Sequence, residues 1–282
     1  MGYQSAGMKS VYLVVVGMLC VQSGTALAKF VFSSLGASGI VTLRLGLAAI
    51  ILIILFRVNL FNRPYRDFLN CLPYGISLAG MNLIFYLAIE KIPMGLGTAI
   101  EFTGPLTLAV ATSRKPQDFL WAVFAGIGII MITPWTNSGE IELSGVLLAG
   151  LAGVFWVGYI LSGKKASLEM NPTDTVAIGI LIAFLIVLPF GINDGILEKL
   201  NLKWLLIGGG VALLTSAIPF SLDMQAFKNI PSKTYSILMS LHPALAAFSG
   251  LLFLGERLSM VQAFAVILVV VASMGTAYSS KK

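Results

Sequence analysis

Charged residues are scarce in this sequence. Asp, Glu, Lys and Arg make up 11% of the 282 residues, whereas hydrophobic residues make up 57%. A soluble globular domain carries about 25% charged residues, so the polar groups here are too few to cover a surface that faces water. This composition excludes a soluble globular protein and indicates a protein of the membrane.

Histidine and cysteine are also rare, with one His and two Cys in the chain. Cys20 and Cys71 show no metal-binding spacing, so we interpret both as small apolar residues of the interior. The P-loop pattern GxxxxGK[ST] and the metalloprotease pattern HExxH are both missing. We therefore expect no cofactor and no metal site. The same absences argue against an enzyme and against an ATP-driven pump without a partner subunit.

Long apolar runs, by contrast, recur along the whole chain. Runs of about 20 residues are long enough to cross a hydrocarbon core of about 30 Å, and within lipid such runs must be helices. Ten spans are predicted, at about 12–32, 38–56, 69–89, 94–112, 119–136, 143–162, 173–192, 204–225, 232–254 and 260–278. The connections between them are short. We expect an all-α membrane protein with no soluble catalytic domain.

The first span has a second interpretation. Lys9, an apolar run and the segment "ALA" at 26–28 together resemble a cleavable signal peptide. Its removal would leave nine spans and break the internal repeat described below, so a retained span is favoured.

Positive charges indicate how the spans are oriented. If the N-terminus is cytoplasmic, 12 of the 18 Lys and Arg residues fall in cytoplasmic segments and five on the opposite side, while Arg44 lies within a span. Cytoplasmic loops of membrane proteins carry an excess of these residues. We therefore expect a multi-pass protein of the cell (inner) membrane with both termini in the cytoplasm. Because the basic residues sit in short loops, nucleic acid is not an expected partner.

The two halves of the chain resemble each other. "AIEKIP" at 88–93 matches "AFKNIP" at 226–231, and at the same offset of 138 residues "EFTGPLTLA" at 101–109 matches "MSLHPALAA" at 239–247. Five helices per half is an odd number, so the second half must enter the membrane in the opposite direction. We predict two inverted five-helix repeats, residues 1–140 and 141–282. Inverted repeats are typical of transporters with a site between the halves.

Glu101 is the leading candidate for that site. A charged side chain at the centre of a membrane helix costs about 2.5–3.5 kcal/mol on insertion scales. Its helical neighbours include Gly97, Thr98 and Gly104, so the carboxylate is expected to face protein or a cavity, while the bulkier side of the helix faces lipid. A carboxylate there can exchange a proton, or it can form a structural hydrogen bond between helices.

His242, the single histidine, lies opposite Gly104 in the repeat alignment, one helical turn from Glu101. Inverted halves would bring both side chains to one cavity. A histidine titrates near neutral pH and suits proton relay or carboxylate binding, although a buried structural role is an equal alternative.

Arg44 lies about a third of the way into the second span, and two roles stay open for it. It can bind a substrate carboxylate, or it can extend to the outer interface or form a structural pair, which we favour at this stage. Gln22, Asn82 and Tyr86 are candidates either to line a polar path or to form hydrogen bonds between helices. Asp223 falls near a span end, where contact with headgroup water is the expected role.

Several segments are similar to a known family. "LAGMNLIFYLAIEKIPMGLGTAIEFTGPLTLA" at 78–109 and "AIPFSLDMQAFKNIPSKTYSILMSLHPALAAFSGLLFLGE" at 217–256 resemble threonine/homoserine exporters of the EamA type, within the drug/metabolite transporter superfamily. "RLGLAA" at 44–49 resembles the second helix of EamA repeats. One position departs from the family pattern: "SLHP" stands where "SLEP" is usual, with His242 in place of the acid.

The resemblance implies a secondary exporter of small neutral amino acids driven by the proton gradient. Its expected partners are the amino-acid substrate, the proton and the lipid bilayer. The alternatives are export of another metabolite or a drug and, more remotely, a passive channel or a membrane enzyme. The sequence leaves the oligomeric state open, with a homodimer as one option.

Overall fold

A computed structural model of the chain describes residues 2–60, 62–112, 120–121, 123–124, 127–128, 131, 142–230, 235, 238–255 and 259–279. Every regular element in these ranges is helical. The helices are α1 (Gly2–Lys29), α2 (Phe32–Leu35), α3 (Ala37–Leu55), α4 (Tyr65–Ile89), α5 (Met94–Glu101), α6 (Thr103–Ala111), α7 (Leu143–Glu169), α8 (Pro172–Asn193), α9 (Ile196–Lys199), α10 (Leu202–Ala212), α11 (Ile218–Asn229), α12 (His242–Ser249) and α13 (Met260–Ser279).

Six helical stretches within the described part of the chain have the length and apolar composition to cross a membrane. They are Tyr12–Lys29, Ala37–Leu55, Tyr65–Lys91, Leu143–Glu169, Pro172–Asn193 and Leu202–Asn229. Each coincides with one of the predicted spans, so an all-α membrane protein is confirmed. The predicted fifth span, 119–136, and the predicted boundary between the halves at 140/141 lie mostly or wholly outside the described residues. The count of ten stays a prediction.

Proline interrupts the helices at corresponding places in the two halves. Pro105 has no N–H to offer the carbonyl of Glu101, and the helix divides there, with α5 ending at Glu101 and α6 starting at Thr103. In the second half, Pro243 follows a short 3₁₀ turn, Met239–Leu241, and stands in the first turn of α12. The predicted span 94–112 is therefore a broken helix, and in the described part of 232–254 a 3₁₀ turn precedes α12; these interruptions fall at Glu101 and His242.

Glycines allow the helices to approach closely around these breaks. A Cβ atom placed on Gly104 would overlap the backbone of Gly153 on α7, and one placed on Gly153 would lie 2.5 Å from the carbonyl oxygen of Glu101. Small residues at helix contacts permit this close approach in membranes. The backbone on either side of Glu101 is thus held directly against α7.

Helices α1, α3 and α4 of the first half each run antiparallel to a neighbouring helical segment of the second half. α3 and α8 are the second spans of their halves; Ser38 bonds to Asp194 beyond the end of α8, whereas Gly46 faces Phe184 within it. In the same way α4 pairs with α7, since Ser77 faces Gly158 and the start of α7 packs on the end of α4. α1 pairs with α10 and α11, because Gly24 faces Leu214 while Gly17 faces Pro219.

Apolar side chains cover the outer faces of the helices. Large hydrophobic residues are exposed on many helices, including Ile54 at 70%, Leu206 at 69% and Phe248 at 62%. This is the surface that a lipid bilayer would cover. The side of α5 and α6 expected to face lipid does not do so, because Ile100, Phe102 and Leu106 are all buried. That expectation was wrong, since neighbouring helices surround this broken helix on both sides.

The contact at Gly153 leads to a stability prediction. Changing Gly153→Ala should destabilise the protein by about 1–3 kcal/mol, because the added methyl group meets the carbonyl of Glu101 in a packed interior. The readout is thermal unfolding in detergent. Gly150→Ala on the same helix is the matched control, as no atom lies within 4 Å of the added Cβ. Equal melting of the two variants would contradict the close packing described here.

Candidate functional site

A cavity lies between the two halves of the chain. Its walls combine side chains from the breaks in α5/α6 and before α12 with others from α1, α3, α4, α7 and α11. Three of its lining residues are of types that carry a charge in water at neutral pH, namely Arg44, Glu101 and Asp223.

Arg44 is buried in the interior of the bundle, with 1% of its surface exposed. Its guanidinium donates to Thr215 Oγ1 at 3.0 Å, to Ser216 Oγ at 2.8 Å and to Asn82 Oδ1 at 2.5 Å. It also lies 4.5 Å from the centre of the Tyr86 ring, in cation–π geometry. Arg44 therefore does not extend to the outer interface, and that part of the interpretation favoured from sequence is wrong; its hydrogen bonds leave open both a structural role and the binding of a substrate carboxylate.

The partners of Arg44 depend on a local distortion of its neighbouring helix. Between α10 and α11 the chain forms a wider π-helical turn, Leu213–Ala217. Pro219 cannot donate to the carbonyl of Thr215 four residues earlier. Arg44 donates to that carbonyl instead, at 3.4 Å. Turns of this kind often mark functional sites, and this one turns both oxygens of Thr215 towards the guanidinium.

All the hydrogen-bond partners of Arg44 are neutral. None of the described residues forms an ion pair with it, and its Nε donates no hydrogen bond. Buried charges are normally paired with an opposite charge or a metal. The ion pairs of the described chain lie instead at helix ends, as in Arg63–Asp174 and Lys91–Glu142. The Arg44 guanidinium therefore supplies a positive charge, available to an anion that enters the cavity.

Glu101 is 6% exposed and lines the same cavity. It is the last residue of α5, and the break at Pro105 and the contact with Gly153 hold its backbone in place. Within the described part of the chain no hydrogen bond or ion pair reaches its carboxylate. The expectation that this side chain faces a cavity rather than lipid agrees with the fold.

Gln22 and His242 meet although they are 220 residues apart in the sequence. Gln22 Nε2 lies 2.6 Å from His242 Nδ1 and also donates to the His242 carbonyl at 3.2 Å. With Nδ1 as acceptor, the neutral imidazole carries its hydrogen on Nε2. The Trp156 ring stands edge-on to the imidazole at 5.2 Å. The repeat alignment thus brings His242 to the cavity of Glu101, as expected.

Asn82 and Tyr86 line the cavity, and both also contact Arg44. Asn82 accepts from Arg44 through Oδ1 and donates to the Leu78 carbonyl through Nδ2 at 2.6 Å, so its amide is engaged in orienting Arg44. The hydroxyl of Tyr86 is buried and finds no partner among the described residues, and its ring lies against Arg44. These contacts with Arg44 engage the Asn82 amide and the face of the Tyr86 ring.

Asp223 is the lining residue that the sequence interpretation missed. It is 8% exposed and accepts hydrogen bonds from Tyr159 at 2.8 Å and Tyr235 at 2.7 Å. Contact with headgroup water was therefore the wrong expectation. One signal was available, since Asp223 lies eight residues after Thr215 on a continuous helical path that faces the cavity. The two tyrosines come from distant parts of the chain and could not be assigned to it.

The Arg44–Thr215 contact leads to a second prediction. Thr215→Val keeps the shape of the side chain but removes the hydroxyl that accepts from the guanidinium and donates to Val211. We expect a loss of about 1–3 kcal/mol in stability, since a buried charged donor loses a partner. Thermal unfolding in detergent measures it. Thr107→Val serves as the control, because Thr107 is exposed on α6 and bonds only to its own helix; equal losses would refute the special role of Thr215.

Comparison with known proteins finds relatives that are named transporters or exporters. The model of the EamA-like transporter family matches residues 143–278. The threonine/homoserine exporter RhtA of Escherichia coli strain K12 is 41% identical over 96% of this chain and 92% of that protein. The exporter of the same name from Salmonella typhimurium strain LT2 is 40% identical over the same shares.

Two more distant matches are consistent with these relatives. A transporter of Bacillus subtilis, YwfM, is 24% identical over 66% of this chain and 65% of that protein. A solved crystal structure superposes with a TM-score of 0.68 at 15% identity, covering 96% of this chain and 99% of that one, which supports the fold alone. The apolar helices and the interior cavity are consistent with these relatives, which are named transporters. The chain belongs to the EamA-like transporter family.

Proposed function

We propose that this protein is a secondary exporter of small neutral amino acids of the threonine and homoserine type. The observation that carries the proposal is the charge arrangement of the cavity. It holds a buried guanidinium without an acidic partner and carboxylates without a basic partner, all among the described residues. A zwitterion brings both missing charges. Relatives at 41% identity that are named threonine/homoserine exporters support the choice of cargo.

The binding mode follows from the positions of the charges. The substrate carboxylate binds Arg44, whose planar guanidinium suits carboxylates, and the ammonium group faces Glu101. From sequence alone, His242, Asn82 and Tyr86 were the candidate donors to the carboxylate. Arg44 is the stronger candidate because it is charged and lacks an anion, whereas the Asn82 amide is already engaged.

Coupling to the proton gradient is proposed through Glu101. A carboxylate that accepts either an ammonium group or a proton cannot hold both, so inward proton movement would drive outward movement of substrate. The halves 1–140 and 141–282 would rock around the cavity and expose it to each side in turn. The antiparallel packing of α3 on α8, and of α4 on α7, supports an inverted relation of the halves.

A different cargo within the same superfamily is the main alternative. Trp156, Tyr159, Phe220 and Tyr235 line the cavity, and aromatic walls suit bulkier metabolites or drugs. Efflux from loaded cells, measured with a panel of radiolabelled amino acids and a bulky aromatic amine, separates the two. Preferred efflux of the aromatic compound would favour this alternative.

Replacing Glu101 tests the coupling proposal. Glu101→Gln should abolish export of threonine against its gradient, because the amide neither binds a proton nor carries a charge. The measurement is efflux of radiolabelled threonine and homoserine from loaded cells, with a parallel sample in which the proton gradient is collapsed.

The matched control is Glu90→Gln, an exposed residue at the end of α4, which should export like the wild type. Amounts of folded protein are compared by thermal unfolding in detergent. Coupling at Glu101 would be ruled out if Glu101→Gln exported threonine against its gradient. It would also be ruled out if collapse of the proton gradient left export by the wild type unchanged.

The orientation is proposed from the distribution of Lys and Arg, with both termini in the cytoplasm. A reporter that is active only in the cytoplasm should function when fused to either end of the chain, and a reporter active only outside should not. If only one end activates the outside reporter, an even number of spans is rejected. If both ends activate it, the proposed direction is rejected.

A further inference from the structure

Asp223 has an environment that the proposed binding mode does not use. Its carboxylate lies on α11 at the cavity wall, and both tyrosine hydroxyls donate to the same oxygen, Oδ2. The other oxygen, Oδ1, receives no hydrogen bond from the described residues. No Lys, Arg or His of the described chain forms an ion pair with Asp223.

The two hydroxyls stabilise the ionised carboxylate without neutralising it. Hydrogen bonds to a charged acceptor are stronger than those between neutral groups, which explains why Tyr159 and Tyr235 converge on one oxygen. In a mostly apolar interior an ionised carboxylate is usually paired with an opposite charge. A cation that enters the cavity would supply that charge.

Aromatic rings surround this carboxylate. The Tyr159 ring lies 5.7 Å from both Phe220 and Phe227, and the Phe227 ring lies 4.6 Å from Tyr235. Faces of aromatic rings attract cations, and a carboxylate among such rings suits an ammonium group. A metal ion would require more oxygen ligands, and the described residues contain no cluster of three or more acidic, histidine or cysteine side chains.

Asp223 lies further along its helix than the residue that contacts Arg44. It lies eight residues after Thr215, the partner of Arg44, which corresponds to about 12 Å along a helix. Its donor Tyr159 lies six residues after Gly153, where α7 touches the backbone of Glu101, or about 9 Å along α7. We therefore expect one α-amino acid held by Arg44 and Glu101 to leave the Asp223 carboxylate unoccupied.

We propose that Asp223, with Tyr159 and Tyr235, forms a second ammonium site of the cavity. The amino group of the transported amino acid binds there in one position along the path and at Glu101 in another. This inference rests on the proposed function for its cargo, and it adds a carboxylate and two tyrosines to the substrate path.

The test uses a probe that carries only the relevant charge. 1-Amino-2-propanol has the ammonium group, hydroxyl and methyl of threonine but no carboxylate, so it does not require Arg44. Its binding to the purified full chain in detergent is measured by isothermal titration calorimetry. We expect the wild type to bind it, and Asp223→Asn to bind it about tenfold more weakly or worse, since a charged hydrogen-bond acceptor is lost.

Two further variants identify the carboxylate responsible. Asp67→Asn, at the start of α4 and outside the cavity, should bind the amine like the wild type. Glu101→Gln should keep measurable amine binding. No binding by the wild type, or unchanged binding by Asp223→Asn, would overturn the second site. Complete loss in Glu101→Gln alone would also overturn it, because Glu101 would then be the sole ammonium site.

A milder variant covers the case in which Asp223→Asn does not fold. Tyr235→Phe keeps the carboxylate and removes one of its two donors, and it should weaken amine binding several-fold; unchanged binding would count against the site. Parallel titration with threonine separates the two proposals. Binding of the amine without binding of threonine would reject the threonine-type cargo while leaving the ammonium site in place.

Discussion

The buried charge of Arg44 is the constraint on which the site depends. An uncompensated guanidinium in a low-dielectric interior is costly unless its donors find partners. Neutral oxygens serve its two terminal nitrogens: a hydroxyl and a carbonyl of Thr215 in the π turn before Pro219, a second hydroxyl, and the amide of Asn82. Because no acid among the described residues pairs with it, we expect the charge to be available to an anion in the cavity.

Proline and glycine create the space around this charge. Pro105 and Pro243 interrupt helices at matching places in the two halves, which sets Glu101 and His242 at helix breaks. Gly104 and Gly153 then bring the backbones into direct contact. The cavity is lined by polar side chains, including those at both breaks, together with aromatic rings such as Trp156 and Phe220.

Much of the arrangement could be predicted from residue types and spacing. The apolar runs predicted membrane helices, and the small residues around Glu101 predicted that its carboxylate faces a cavity. The offset of 138 residues placed His242 near it. These predictions succeed because they rest on local periodicity and on a repeated pattern. The expectation that Arg44 extends to the outer interface was wrong because a long side chain has several directions open to it, and its own helix does not determine which one is taken.

The sequence by itself determined that this chain is an all-α membrane protein, and its repeated pattern put Glu101 and His242 at nearly corresponding places in the two halves. Only the tertiary structure decided the partners: Gln22 with His242 across 220 residues, Arg44 with the π turn, and Asp223 with two tyrosines. The physical reason is that hydrogen bonds between helices depend on how the helices cross and rotate against each other. Packing of the whole bundle sets those angles, and no single segment encodes them.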